Sequence, residues 1–195
     1  MKEFEKNIGY EFHDKCLLST ALRHSSYANE SKKDLQSNER LEFLGDSVLS
    51  IVVSEYLYKH FSHMPEGELT KFRASLVCEK SLHKQALKLH LGDYLMLGKG
   101  EELTGGRERP SILADAVAAV IAAIYLDGSL ERARKFILDI LHDDLVPEKL
   151  EKAKDYKTIL QEIIHQNKEE KVSYCLVEES GPDHDKRFTV EVRLN

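Results

Sequence analysis

The sequence predicts a mainly α-helical domain followed by a small α+β segment, and three observations carry the prediction. Apolar residues recur at helical spacing through the first 145 positions. Beyond Pro147 the pattern changes to two alternating runs joined by turn residues. The 195 residues are 42% hydrophobic and 32% charged, the balance of a chain that buries a real core. A length near 200 allows one domain and a small companion.

The elements follow in order. Residues 14–23 form a short amphipathic stretch, and 38–60 a long one opened by Ser37 or Asn38 as cap. Residues 68–89 contain neither Gly nor Pro and keep a helix period through Leu69, Phe72, Leu76, Val77, Leu82, Ala86 and Leu87, which predicts one helix. Four glycines (Gly98, Gly100, Gly105, Gly106) make 98–110 a loop. Pro110 suits the first turn of an alanine-rich helix reaching about Leu126. After a turn at 127–129 a last helix spans 130–145. The helical block 1–146 gives way to a charged linker, 147–154, and then to 155–195, with a helix at 156–166 and strands at 172–178 and 187–194. Ser180-Gly181-Pro182-Asp183 joins the strands as a hairpin turn. One helix and two strands bury too little to stand alone.

Composition also excludes. The longest uninterrupted apolar run, Ala116 to Leu126, is eleven residues, too short to cross a bilayer, and no signal peptide opens the chain. Three widely spaced cysteines (Cys16, Cys78, Cys175) give neither a disulfide frame nor a metal knuckle and fit a reducing, cytoplasmic setting. A formal charge of −6 sets the whole-protein field against a polyanion, so a nucleic-acid partner would need a basic face or a metal ion as intermediary.

Glu39, Glu42 and Asp46 fall at i, i+3 and i+7, within about 60° on a helix. Like charges so placed cost roughly 0.2–0.5 kcal/mol per pair, whereas hard oxygen donors on one face suit Mg²⁺. A solvated acidic face with Arg40 as counter-ion is the other reading. Gly45, mid-helix at about 1 kcal/mol, calls for a backbone packed very close. Asp115 is a carboxylate in an otherwise apolar helix: either a ligand from a second helix or a residue favouring that helix's dipole. His24-Ser25-Ser26 lacks a third group to orient the histidine and reads as a helix-end loop. Gly98-Lys99-Gly100 and Gly105-Gly106-Arg107 lack phosphate-loop spacing, which leaves only their Lys and Arg to touch phosphate.

The run Asn38-Glu39-Arg40-Leu41-Glu42-Phe43-Leu44-Gly45-Asp46-Ser47-Val48-Leu49 resembles the bacterial ribonuclease III signature. Arg23-His24-Ser25-Ser26-Tyr27, Pro65-Glu66-Gly67-Glu68-Leu69, Ile112-Leu113-Ala114-Asp115 and Tyr125-Leu126-Asp127-Gly128 fall in family order. The resemblance implies an all-helical nuclease domain followed by the first part of a double-stranded-RNA-binding domain. It implies a cytoplasmic homodimer, without membrane, that uses Mg²⁺ (Mn²⁺ as substitute) in RNA processing, ribosomal RNA included, and cuts duplexes to leave 3′ overhangs. Glu42, Asp46 and Asp115 match catalytic and metal-site carboxylates, Glu39 and Glu66 accessory acidic residues, and Gln161, Glu162 and His184 contacts to the RNA minor groove.

Two departures matter. The family carries a metal-site glutamate three residues after Asp115, where this chain has Ala118. With the other site residues in place, that implies a chain that binds RNA and cuts it poorly. The chain also stops at Asn195, where the family continues with a third strand and a basic helix, so the binding domain is expected to be incomplete and weak. Two rival functions remain: a non-catalytic duplex-RNA-binding protein, and an all-α nucleotide pyrophosphohydrolase, against which the hairpin argues.

Overall fold

A computed structural model describes residues 1–31, 34–146, 164, 172–180 and 186–194. The chain divides into two compact units, Met1–Pro147 and Glu148–Asn195.

The first unit is built from helices α1 (Lys2–Ile8), α2 (Lys15–Ala21), α3 (Ser25–Glu30), α4 (Glu39–His60), α5 (Glu66–Val77), α6 (Glu79–Lys88), α7 (Lys99–Leu103), α8 (Pro110–Asp127) and α9 (Leu130–Leu141), with short 3₁₀ turns between. Asp14 caps α2 by accepting from the Cys16 N–H at 2.8 Å, and Ser129 caps α9 through Arg132. Pro110 takes the first turn of α8, where its missing N–H costs nothing.

The core is α8. From Ile112 to Ile124 every residue is buried except Asp115. It packs on α4, α6, α9 and α2, and each fully buried Ile, Leu or Val contributes about 1.5–3 kcal/mol. By length and composition α8 is apolar enough to cross a bilayer, contrary to the expectation drawn from the eleven-residue run. Asp115 and the terminal Asp127 are the two charges of an 18-residue apolar helix that is itself mostly buried in the bundle.

Four local readings are corrected. Residues 68–89 are two helices, broken at Cys78, whose backbone is extended and whose carbonyl starts α6 by accepting from Ser81 and Leu82. Tertiary packing overrides the period, because α5 packs on α4 while α6 packs on α8. Asn38 occupies the cap position of α4 without a side-chain capping bond; it is buried with helical backbone, and Ser37 spends its hydroxyl on Glu39 at 2.8 Å. The 98–110 loop contains α7 and a 3₁₀ turn, held by Arg107, which donates to the carbonyls of Gly92 and Leu95 and pairs with Glu102. His24 heads a helix, α3, instead of trailing one.

In the second unit β1 (Val172–Ser180) pairs antiparallel with β2 (Arg187–Leu194), Tyr174 opposite Val192 and Leu176 opposite Val190. A bulge between Leu176 and Glu178 takes up one extra residue. Ile164 is helical and buried. The rest of the expected helix at 156–166, the linker 147–154, the turn residues 181–185 and therefore Gln161, Glu162 and His184 lie outside the described residues.

Candidate active site

Two helices bring the acidic residues together. Glu39, Glu42 and Asp46 rise along the first two turns of α4, and Asp115 sits in the second turn of α8. Gly45 sets their separation. A Cβ built there would lie 1.8 Å from the Ala118 carbonyl oxygen and 2.5 Å from its carbon, so only glycine lets α8 come this close. That contact places Ala118, 1% exposed, between Glu42 and Asp46 along α4 and one turn from Asp115.

The electrostatics show that the carboxylates share one field. Burial pushes the Glu42 carboxyl up, and Asp115, Asp46 and Glu39 add to the rise. Partial desolvation also raises Asp46, although the residue is exposed. Asp115 is raised first by burial, then by Asp46 and Glu79, and only His24 opposes the shift. Among the described residues no lysine or arginine offsets these shifts. Such a set is a region of uncompensated negative charge at the edge of an apolar core, which a cation would relieve.

The donors fit a hard divalent cation in kind. Among the described residues no three His, Cys, Asp or Glu side chains converge into a metal cage. Mg²⁺ does not need one, since it is commonly held by one or two carboxylates and keeps several waters. Glu42, Asp46 and Asp115 are the residues placed to serve.

The other expected residues are placed less centrally. Glu39 is exposed and accepts from Ser37 while still acting on Glu42. Glu66 is exposed at the start of α5, where it accepts from Thr70 at 2.8 Å, and it acts on none of the three carboxylates. The glycine loop offers no phosphate cradle: the N–H groups of Lys99 and Gly100 are taken by the Glu30 carboxylate. Reading the residues missed Glu79, which enters because the break at Cys78 turns α6 toward α8, and dismissed His24. It also missed an exposed apolar face on α4, where Phe43, Ile51 and Tyr58 are 79%, 57% and 76% accessible. Their i, i+8, i+15 spacing is one side of a helix.

Comparison with known proteins agrees along the chain. Residues 14–145 match the family model described as Ribonuclease-III-like, and residues 156–195 match the double-stranded RNA binding motif. Ribonuclease 3 of Caldanaerobacter subterraneus subsp. tengcongensis is 55% identical over 192 residues, spanning 97% of this chain and 84% of that protein. Ribonuclease 3 of Natranaerobius thermophilus is 50% identical over 99% of this chain and 84% of its own length. Among solved structures, the nuclease domain of ribonuclease III from Campylobacter jejuni superposes with a TM-score of 0.69 at 46% identity, covering 74% of this chain and 95% of that one. A second structure of that domain is described by flexibility in a region involved in dimer formation. Dicer from Pichia stipitis gives a TM-score of 0.54 at 25% identity over 93% of this chain and 81% of that one. Helical bundle, acidic pair of helices and hairpin unit thus converge with the sequence relatives, and the chain belongs to the ribonuclease III family of endoribonucleases that carry a double-stranded RNA binding motif.

Proposed function

We propose that this chain binds double-stranded RNA and hydrolyses its phosphodiesters at Glu42, Asp46 and Asp115 with Mg²⁺ (Mn²⁺ as substitute), and that Ala118 leaves it a better binder than cutter. The observation that carries the reading is the field shared by two half-buried carboxylates, Glu42 and Asp115, and the exposed Asp46 across the α4–α8 contact, whose raised carboxyls no lysine or arginine among the described residues offsets. When bound, a divalent cation supplies neutralisation of the phosphodiester charge and Lewis-acid activation. The chain's own part is positional: α4 and α8 hold the carboxylates at a separation that Gly45 makes possible. A cation there also reconciles an acidic protein with a polyanionic substrate.

Ala118 leaves a donor short where two cations would serve attacking and leaving oxygens. A homodimer pairs two such sites on the two strands and leaves 3′ overhangs. The exposed Phe43, Ile51 and Tyr58 on α4, and the dimer-forming region described for the Campylobacter jejuni relative, support that assembly. Exposed free cysteines at 16, 78 and 175 support a cytoplasmic setting, where RNA processing, ribosomal RNA included, takes place. In the second unit, Gln161, Glu162 and His184 are the proposed contacts to the RNA minor groove, a reading supported by their place within residues 156–195, which match the double-stranded RNA binding motif.

The test is single-turnover cleavage of a duplex across a Mg²⁺ titration. The chain should bind and cut slowly, Ala118→Glu should raise the rate, and adding Asp46→Asn should abolish it. A normal rate with Ala118 in place refutes the role given to position 118. Binding without cleavage in both proteins points to the non-catalytic duplex-RNA-binding reading.

A further inference from the structure

Histidine is a poor choice for a helix cap, a position that Ser, Asn and Asp fill with a shorter side chain. His24 nonetheless caps α3, its Nδ1 accepting from the Ser26 N–H at 3.3 Å and lying 2.8 Å from Ser26 Oγ. The Ser26 hydroxyl accepts from the Gly98 N–H at 2.9 Å, which leaves its own proton for Nδ1. With Nδ1 an acceptor, the neutral ring carries its proton on Nε2. No described residue takes that N–H.

The backbone around the ring is held from two sides. The His24 N–H donates to the Met96 carbonyl at 3.1 Å, and the Arg23 carbonyl accepts the Asn38 N–H at 2.8 Å. Asn38 is the residue whose carbonyl accepts the Glu42 N–H and starts the acidic helix. His24 is therefore fixed beside the first turn of α4, within electrostatic range of Asp115. A phosphate entering this site otherwise meets carboxylates. Resting on the reading of the acidic pair as the cleavage site, we propose that His24 is a further substrate-contacting residue, donating its Nε2–H to a non-bridging oxygen of the RNA phosphate held there.

Two amides separate capping from contact. His24→Asn keeps an oxygen where Nδ1 lies, and so keeps the cap, but has no donor at Nε2. His24→Gln reaches the Nε2 position with its amide and gives up the cap. His24→Asn should keep its Tm and lose single-turnover rate by roughly 10–100-fold, the scale of a hydrogen bond to a charged group. His24→Gln should recover part of that rate despite a lower Tm, both measured in the Ala118→Glu background where cleavage is strongest. An unchanged rate in His24→Asn overturns the proposal, and so does a rate that tracks Tm across both variants. The His24 Nε2 resonance of the unaltered chain should shift when duplex RNA is added without cleavage, and no shift overturns the contact. Failure of every variant and of the parent to cut, with that shift present, counts against the cleavage reading alone.

Discussion

Gly45→Ala adds one methyl group where the two central helices meet. In isolation the change favours α4, because alanine is about 1 kcal/mol better than glycine inside a helix. The contact reverses the sign. The new Cβ would sit 1.8 Å from the Ala118 carbonyl oxygen, and ordinary contact begins at 3.4 Å, so α4 and α8 must part by roughly 1.5 Å. Backbone atoms cannot rotate away as a side-chain tip can. Around them Val48, Leu49, Val52, Val117 and Ile121 are all buried, and a gap of even 0.5–1 Å forfeits about a quarter to a half of each dispersion contact. With overpacking worth about 1–3 kcal/mol before those losses, the net change is about 2–4 kcal/mol destabilising. Tm should fall by on the order of 10 °C for a unit of this size. Cleavage of duplex RNA should fall with it at temperatures where the variant is folded, since Glu42 and Asp46 flank the wedge and Asp115 lies one turn from it. Gly67→Ala is the control: that glycine is also helical, in α5, but a Cβ there meets nothing within 4 Å. It should be neutral or slightly stabilising. Thermal denaturation of both variants decides, and a Gly45→Ala protein that melts within a degree of the Gly67→Ala protein refutes the close-packing argument.

Three further outcomes follow from the same geometry. Burial works to raise the Asp127 carboxyl, but donors from Asp14, His13 and Tyr10 outweigh it and bring it from 3.8 down to about 2; its stabilisation is present above pH 4 and lost as pH falls toward 2. Asp127→Asn should therefore cost about 2 kcal/mol at pH 7 and nothing near pH 2, read by Tm against pH. Asp115 is displaced the other way, so its charge costs stability above the ordinary carboxylate range; Asp115→Asn without divalent cation should raise Tm at pH 7, the gain vanishing at pH 3. Phe43→Glu should break the proposed dimer to a monomer in light scattering at micromolar concentration, and an unchanged dimer mass would move the proposed interface off this face of α4.

The helices α2, α4, α8 and α9, the apolar spine at 112–124 and the paired strands were legible because each depends on a local period. Gly45 was legible for a different reason: a residue that weakens its own helix must be explained by something outside it, and that something is the Ala118 backbone. The break at Cys78 was not legible. Nothing in Ser75-Leu76-Val77-Cys78-Glu79 disfavours a helix strongly, and the turn exists because α5 and α6 serve different partners. Glu79 went unseen as a consequence, since its nearness to Asp115 depends on that turn. His24 was misread because what orients it, Ser26 tied to Gly98 and Arg23 tied to Asn38, is partly contributed by residues more than seventy positions away. The face of Phe43, Ile51 and Tyr58 lay hidden by a simpler confusion. An exposed apolar stripe and a buried one have the same period, and only the packing tells them apart.

Asp115 and Asp127 stand on the same helix and show what separates an acidic residue that holds a fold from one proposed to serve the chemistry. Both are partly or largely withdrawn from water, and withdrawal alone raises each carboxyl. At Asp127 the chain answers with N–H and O–H donors, so the charge is the stable form and ties the segment at residues 10–14 to the end of α8. At Asp115 the neighbours that act most strongly are Asp46 and Glu79, so the charge is held in an environment that disfavours it. Alanine at 118 adds no donor to that deficit. On the proposed reading a site left short of positive charge by its own protein would take up a cation, which would neutralise the face toward which an RNA phosphate approaches. The stability forgone at Asp115 would then be the same free energy that favours the proposed cation, so neutralising this aspartate should stabilise the fold and weaken cation binding together.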